Sequence, residues 1–157
     1  MNVLKSLLFL LLAAGLGAGY IPFALLPKGS QVETGLFAYL AFPLWLLGGA
    51  TIIWCFWDFT FKGHGTPNPI DPPKELVTTG LYRYVRNPIY VGVLTIIIGH
   101  FLWFKTLWML AYAFVVFLVF NLFVTLYEEP TLKEKFGTTY EKYCKSVPRW
   151  IPKIKGS

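Results

Sequence analysis

Cysteine, histidine and acidic residues are scarce in this chain of 157 residues. It contains two Cys, two His and eight Asp or Glu residues. Cys55 lies in an apolar stretch and Cys144 near the C-terminus, so they are not expected to pair as a disulfide. No Cys or His residues have the close spacing of zinc-binding motifs, and we expect no metal site.

Charged residues of both signs are also few: they make up 14% of the chain, whereas 55% is hydrophobic. A soluble domain of this size would need more charge to cover its surface. The net charge is +6, but no basic stripe alternates with base-stacking aromatic residues, so no nucleic-acid partner is expected. The composition predicts one integral-membrane domain over residues 1–157.

The sequence predicts an all-α, polytopic membrane protein with four transmembrane helices. A spanning helix needs about 20 apolar residues, because each adds about 1.5 Å across a core of about 30 Å. The predicted spans are Val3–Leu26, Gly35–Phe61, Pro88–Phe104 and Thr106–Tyr127. A cleaved signal peptide is the alternative for Met1–Gly19, but the longer apolar run favours an uncleaved span. The short third span, one residue from the fourth, predicts a tight helical hairpin.

Lys and Arg are distributed unevenly between the two sides that these spans define. If the spans alternate, 12 of the 14 cations lie on one side, and only Lys28 and Lys105 on the other. Cytoplasmic loops carry such an excess. We therefore expect both termini and the 62–87 connection in the cytoplasm, in a multi-pass protein of a prokaryotic inner membrane.

The 62–87 connection is rich in Gly and Pro, yet it also contains apolar residues that favour burial. A loop this long is usually functional or disordered. We expect a lid packed over the cytoplasmic ends of the spans. Asn87 is predicted as an N-cap, with Pro88 in the first helical position.

The tail, residues 128–157, predicts two short amphipathic helices after the fourth span. Thr131 and Glu134, and likewise Thr138 and Glu141, have capping-box spacing. Gly137 is suited to the C-cap between the two helices.

Three features carry candidate chemistry on the cytoplasmic side. In the segment Gly80–Tyr90, arginines, tyrosines and an amide converge on a helix N-terminus that favours an anion, although Tyr and Arg are also common at membrane borders. Glu128 and Glu129 follow the fourth span. They are either an ordinary polar helix end or acids facing a cavity or a cation, and their side chains, about 100° apart, predict different partners. The third feature is His64, a weak candidate in the lid.

Three polar residues interrupt the predicted spans. Asp58 is near the cytoplasmic end of its helix, where it is expected to reach water. His100 is near the opposite surface and is expected to be structural. Asn121 is seven residues before Glu128, on nearly the same face, and is a candidate for the same cavity.

Two blocks of this sequence resemble a known family of membrane methyltransferases. The blocks are LVTTGLYRYVRNPIYVG and YEEPTLKEKFGTTYEKYCKSVPRWIP. They are similar to isoprenylcysteine carboxyl methyltransferase and the phospholipid N-methyltransferases in a Gly-x-Tyr…Arg-(His/Asn)-Pro-x-Tyr segment, an acidic pair and a Phe-Gly-x-x-Tyr tail. The resemblance extends from about Leu76 to Pro152.

The resemblance implies S-adenosylmethionine as the cofactor and a lipophilic or amphiphilic acceptor delivered from membrane lipid. It implies catalytic roles for Arg86, Asn87 and Glu129. The implied cofactor-binding residues are Tyr82, Arg86, Asn87, Pro88, Tyr90, Glu128 and Glu129. Arg86 and Asn87 would form a cationic pole, the two acids would take the ammonium and the ribose or sulfonium, and the tyrosines would pack on the adenine or the sulfonium.

The chain departs from the prenylcysteine enzymes at two places. Asn87 stands where they usually have His, and Leu122–Leu126 lacks the Arg that they tend to have one turn before the acidic pair. A carboxylate acceptor would then need another cation, for which Arg149 is a weak candidate; His64 and Asn121 complete the candidate substrate residues. The alternatives are a phospholipid amine N-methyltransferase and a small membrane scaffold or transport subunit. The oligomeric state stays open.

Overall fold

A computed structural model describes residues 11–30, 32, 35–61 and 75–153, and every regular element in these ranges is helical. We number the α-helices α1 to α6 in chain order: Ile21–Ala24, Ala41–Phe61, Pro88–Phe104, Leu107–Phe123, Glu129–Phe136 and Thr138–Ser146. Leu11–Tyr20 and Val124–Glu128 are π-helical, and Leu36–Leu40 and Gly80–Arg83 are 3₁₀-helical. The start of the predicted first span, lid residues 62–74 and the end of the tail lie outside the described residues.

Two helical stretches are long and apolar enough to cross a membrane, Leu36–Phe59 and Leu107–Phe136. Pro88–Phe104 is apolar but shorter. Within the most apolar window of the two long stretches, only 22% and 11% of residues are buried inside the protein. Buried core helices of soluble proteins have the opposite pattern, so these outward-facing apolar side chains favour contact with lipid.

Helices α2 and α3 are packed closely through glycines. A Cβ added at Gly48 would lie 2.6 Å from the carbonyl oxygen of Gly92, and a Cβ at Gly92 would lie 3.0 Å from that of Gly48. Small residues allow helix backbones to approach one another in membranes. Ile52, Val93 and Ile97 form the adjoining buried core. This contact fixes two helices that lie beside the candidate site.

The helix of the fourth predicted span continues beyond Tyr127, where the sequence predicted its end. Helix α4 continues through the π-turn Val124–Glu128 directly into α5. Pro130, which has no N–H to donate, comes two residues after the π-turn ends. Thr131 consequently lies inside a continuous helix, and its hydroxyl donates to the carbonyl of Tyr127 at 2.7 Å instead of forming the predicted capping box.

Two other predicted caps also differ from the structure. Asn87 precedes α3 as predicted, but its side chain makes no capping hydrogen bond. Thr138 is the first residue of α6 instead of its N-cap, and no side chain caps this helix. Gly137, with φ of 53°, ends α5 as predicted. Asn87 and Gly137 thus have the predicted positions, Thr138 lies one residue further into its helix, and neither Asn87 nor Thr138 caps a helix.

The described part of the lid packs against α2. Val77 and Tyr82 form a buried cluster with Cys55. Asp58 does not reach water, because only 1% of its surface is exposed. A Cβ added at Gly80, whose φ is +60°, would overlap a carboxylate oxygen of Asp58. The carboxylate therefore lies directly against the backbone of the Gly80–Arg83 turn.

Candidate active site

Three charged side chains from distant parts of the chain meet at the end of the bundle that carries α5. Arg149 donates from Nε to Oε1 of Glu129 and from Nη2 to Oε2, both at 2.8 Å. Arg86 donates from Nη1 to the same Oε1 at 2.8 Å. We call these residues the Arg86–Glu129–Arg149 triad. Both carboxylate oxygens of Glu129 are thus engaged by guanidinium groups, in the bidentate geometry typical of Arg–carboxylate pairs.

The C-terminal strap, residues 147–153, brings Arg149 to the triad through contacts of its backbone. The Arg86 N–H donates to the carbonyl of Pro148 at 2.9 Å, and the Lys153 N–H donates to that of Tyr84 at 2.9 Å. Asn87 donates from Nδ2 to the carbonyl of Arg149 at 3.1 Å. The amide of Asn87 therefore holds the strap, which explains why it does not cap α3.

Glu128 and Glu129 have different partners, as their helical spacing predicted. The hydroxyl of Tyr90 donates to Oε2 of Glu128 at 3.0 Å. Tyr90 itself packs on Phe120, with ring centroids 4.5 Å apart. Among the described residues, no cation pairs with Glu128, so the two acids lie in different electrostatic surroundings.

The candidate residues divide between two cavities, and Arg86 lines both. The first is an open cavity of about 700 Å³ between α5, α6 and the strap. It is lined by Arg86, Thr125, Glu129, Pro130, Lys133, Tyr140, Glu141, Cys144, Lys145 and Arg149. The second is an enclosed cavity of about 40 Å³, lined by Phe59, Tyr82, Arg86, Asn87, Ile89, Tyr90 and Glu128. The first has the size of a small-molecule site, and the second holds about one water molecule.

Arg149 and three tyrosines of the site keep one charge state near neutral pH. The hydrogen bonds to Glu129 raise the pKa of Arg149, so its guanidinium stays charged. Burial raises the pKa of Tyr82 well above its ordinary value and also raises the pKa values of Tyr140 and Tyr143. These phenols therefore stay neutral near pH 7.

Tyr82 is held from two sides at the enclosed cavity. Its ring makes an edge-to-face contact with Phe59, with centroids 5.3 Å apart. Its carbonyl accepts a hydrogen bond from the hydroxyl of Tyr143 at 2.7 Å. Helices α2 and α6 thus fix the turn that carries Tyr82, although α2 lies outside the sequence blocks that first suggested the site.

Other candidates from the sequence lie elsewhere. Oδ1 of Asn121 accepts from Nε1 of Trp150 at 3.1 Å, so Asn121 anchors the strap and is not among the residues that line either cavity. Pro88 is buried at the start of α3. His64 lies outside the described residues. The Nε2–H of His100 donates to the carbonyl of Ala18 at 2.7 Å, a structural contact as predicted.

Sequence reasoning missed Tyr140 and Cys144, which line the open cavity. Cys144 lies 3.0 Å from Nη1 of Arg86, in hydrogen-bond contact. A signal for both residues was available, because positions four apart on a helix share a face. The prediction for the tail rested on its capping pattern, which does not indicate which face of α6 lines a cavity.

The sequence model of the phospholipid methyltransferase family matches residues 36–139. The chain belongs to this family. The match includes α2, the described lid, α3, α4 and α5, and ends just before Tyr140. Together with the two membrane-length apolar helices, membership of the phospholipid methyltransferase family supports a membrane protein.

Curated relatives match about half of the chain. A protein-S-isoprenylcysteine O-methyltransferase of Schizosaccharomyces pombe is 41% identical over 86 residues, which is 50% of this chain and 34% of the relative. A methanethiol S-methyltransferase of Crocosphaera subtropica is 36% identical over 89 residues, 52% of this chain and 31% of the relative. The aligned region thus spans about a third of each relative's length. No solved structure matches the chain.

Proposed function

We propose that this protein is a membrane methyltransferase that uses S-adenosylmethionine to methylate a lipophilic or amphiphilic acceptor. The observation that carries the proposal is the meeting of Arg86, Glu129 and Arg149 on one cavity within a chain of this family. The two relatives described above are named as methyltransferases of an isoprenylcysteine and of a thiol.

The residues present fit S-adenosylmethionine in size and in chemistry. The open cavity of about 700 Å³ lies within the range of about 300–1,000 Å³ for small-molecule sites. The cofactor carries a carboxylate, an ammonium and a sulfonium, so its site needs groups of both signs. The two cavities together offer guanidinium groups, three carboxylates and the aromatic rings of Tyr82, Tyr90 and Tyr140.

When bound, S-adenosylmethionine supplies an activated methyl group, and its leaving thioether needs no proton. The protein's task is then to align the acceptor and to exclude water. Alignment of this kind can contribute about 7–11 kcal/mol. In our proposal, Arg86, Asn87 and Glu129 hold the cofactor against the strap, while Tyr82, Tyr90 and Glu128 form the wall of the enclosed cavity.

A phospholipid amine is the second candidate acceptor, and the surroundings of Glu128 favour it. An amine must lose a proton before it can accept a methyl group, whereas a carboxylate or thiolate needs no base. Glu128 bonds to the Tyr90 hydroxyl and, among the described residues, pairs with no cation. A carboxylate in this position is a candidate base beside an incoming ammonium.

Binding of S-adenosylhomocysteine to the purified protein tests the proposed function. We expect Glu129→Gln and Arg86→Ala to abolish calorimetrically measured binding while the protein stays folded. Glu134→Gln is the matched control, because Glu134 is an exposed acid on α5 outside both cavities. Unchanged affinity in both site variants would refute the site. Wild-type protein that does not bind at millimolar concentration would favour a scaffold or transport subunit.

The chemistry of the product distinguishes the acceptors. Membranes containing the protein are incubated with cofactor labelled in the methyl group, and the lipid extract is analysed by mass spectrometry. A methyl ester loses its label in mild base, whereas an N-methyl group retains it. Label retained on a phospholipid amine would establish the second candidate and exclude a carboxyl acceptor.

A further inference from the structure

The charges of the triad do not balance. Two guanidinium groups face one carboxylate, which leaves one excess positive charge. The triad lines the open cavity and is partly shielded from water, since the side chains of Arg86 and Glu129 are 14% and 20% exposed. Nε of Arg86 is buried and has no hydrogen-bond partner among the described residues. A buried donor of this kind favours a ligand that accepts hydrogen bonds.

The saturation of Glu129 also changes the role expected for this acid. Both of its oxygens accept from guanidinium groups, so it has little capacity left for an ammonium. Its charge instead orients two arginines toward one cavity. The neighbouring Lys133 is paired with Glu141 at 2.8 Å and adds little to the excess charge.

We propose that the Arg86–Glu129–Arg149 triad is a carboxylate-binding site, with Arg149 as a residue that contacts the ligand and Glu129 as a positioning residue. The inference rests on the proposed function. It assigns Glu129 to the cationic part of the proposed ligand site. Two sources of the carboxylate are compatible with this chemistry: the amino-acid end of the cofactor and the free carboxylate of an acceptor.

Arg149→Gln is a suitable variant, because the strap is held independently of the Arg149 side chain. Its backbone bonds to Arg86, Tyr84 and the Asn87 amide, as well as the Trp150–Asn121 bond, do not involve the guanidinium. Lys145→Gln is the matched control: it removes a positive charge from the lining of the same cavity without touching Glu129. Melting curves of both variants check that they are folded.

Calorimetry with two pairs of ligands identifies the source of the carboxylate. The first pair is S-adenosylhomocysteine and its decarboxylated analogue, which keeps the ammonium. The second is S-farnesyl-N-acetylcysteine and its methyl ester. We expect wild-type protein to prefer the carboxylate of one pair by about tenfold to a hundredfold, the range for a charged hydrogen bond. Arg149→Gln should remove this preference and change the affinity of the partner without the carboxylate much less, while Lys145→Gln retains the preference.

Each outcome has a defined meaning. If Arg149→Gln loses the preference for S-adenosylhomocysteine over its decarboxylated analogue, the triad binds the carboxylate of the cofactor. If it loses the preference for S-farnesyl-N-acetylcysteine over the methyl ester, the triad binds the carboxylate of the acceptor. The proposal is overturned if wild-type protein prefers neither carboxylate, or if Arg149→Gln weakens both members of a pair by the same factor, as a merely structural residue would. Equal binding of S-adenosylhomocysteine and its analogue by wild-type protein, with no preference in the second pair, overturns the carboxylate site but leaves the proposed function intact. Absence of binding by both adenosine compounds defeats the proposed function, and the farnesyl pair then decides the carboxylate site alone.

Discussion

Substitution of Gly80 by Ala tests whether Asp58 holds the turn that carries Tyr82. The added Cβ would overlap a carboxylate oxygen of Asp58 and lie 3.1 Å from Nε1 of Trp54. Overpacking of this kind costs about 1–3 kcal/mol. The φ of +60° adds about 1–2 kcal/mol for a residue with a Cβ. We therefore expect Gly80→Ala to lower the free energy of unfolding by about 2–5 kcal/mol.

The overlap can be separated from the backbone strain by a double-mutant cycle. Asp58→Ala removes the atoms nearest to the new methyl group, so it should relieve the overlap and leave the strain. Equilibrium unfolding in mixed micelles, measured for wild type, both single variants and the double variant, should give a coupling of about 1–3 kcal/mol.

Gly137 provides the control for this cycle. Its φ is also positive, at +53°, but nothing lies within 4 Å of a Cβ built there. Gly137→Ala and Asp58→Ala should therefore be additive within about 0.3–0.5 kcal/mol. If the Gly80–Asp58 pair were equally additive, the carboxylate would not be packed on the turn and the argument for its role would fail.

Two further predictions concern the helix packing and the tail. Gly48→Ala should destabilise the protein by about 1–3 kcal/mol, because its methyl group would lie 2.6 Å from the carbonyl oxygen of Gly92. Gly49→Ala is the control: nothing lies within 4 Å of its methyl group, so it should stabilise the protein by about 0.5–1 kcal/mol. Equal melting temperatures of the two variants would contradict the close contact between α2 and α3. Lys133 lowers the pKa of the Glu141 carboxyl, so the pair's small stabilisation should be present above the ordinary pKa of Glu141, 4.5, and be lost as the pH falls through its lowered value. Glu141→Gln should remove this part of the pH dependence of the melting temperature, and an unchanged acid limb would show that the pair does not hold α5 to α6.

The sequence by itself determined the bounds of one helix, two membrane-length helices and the family. Pro88–Phe104 was predicted from its apolar run, and the structure gives the same bounds, because Pro88 is suited to a first helical turn and the run ends at Lys105. Two of the predicted spans correspond to membrane-length helices for the same reason: length and hydrophobicity are local properties. The motif residues Arg86 and Glu129 were likewise recognisable from their neighbours in the chain.

Only the tertiary structure decided which partners these residues have. Glu129 bonds to Arg86, 43 residues away, and to Arg149, 20 residues away, and no local pattern predicts which cations pair with this acid. Asn87 and Asp58 show the same limit. Asn87 was expected to cap a helix, yet its amide donates to the strap. Asp58 was expected to reach water, yet it packs against the turn at Gly80. Local propensity specifies where a helix begins and ends, whereas the partner of a polar side chain depends on which distant segments the fold brings within about 3 Å of it.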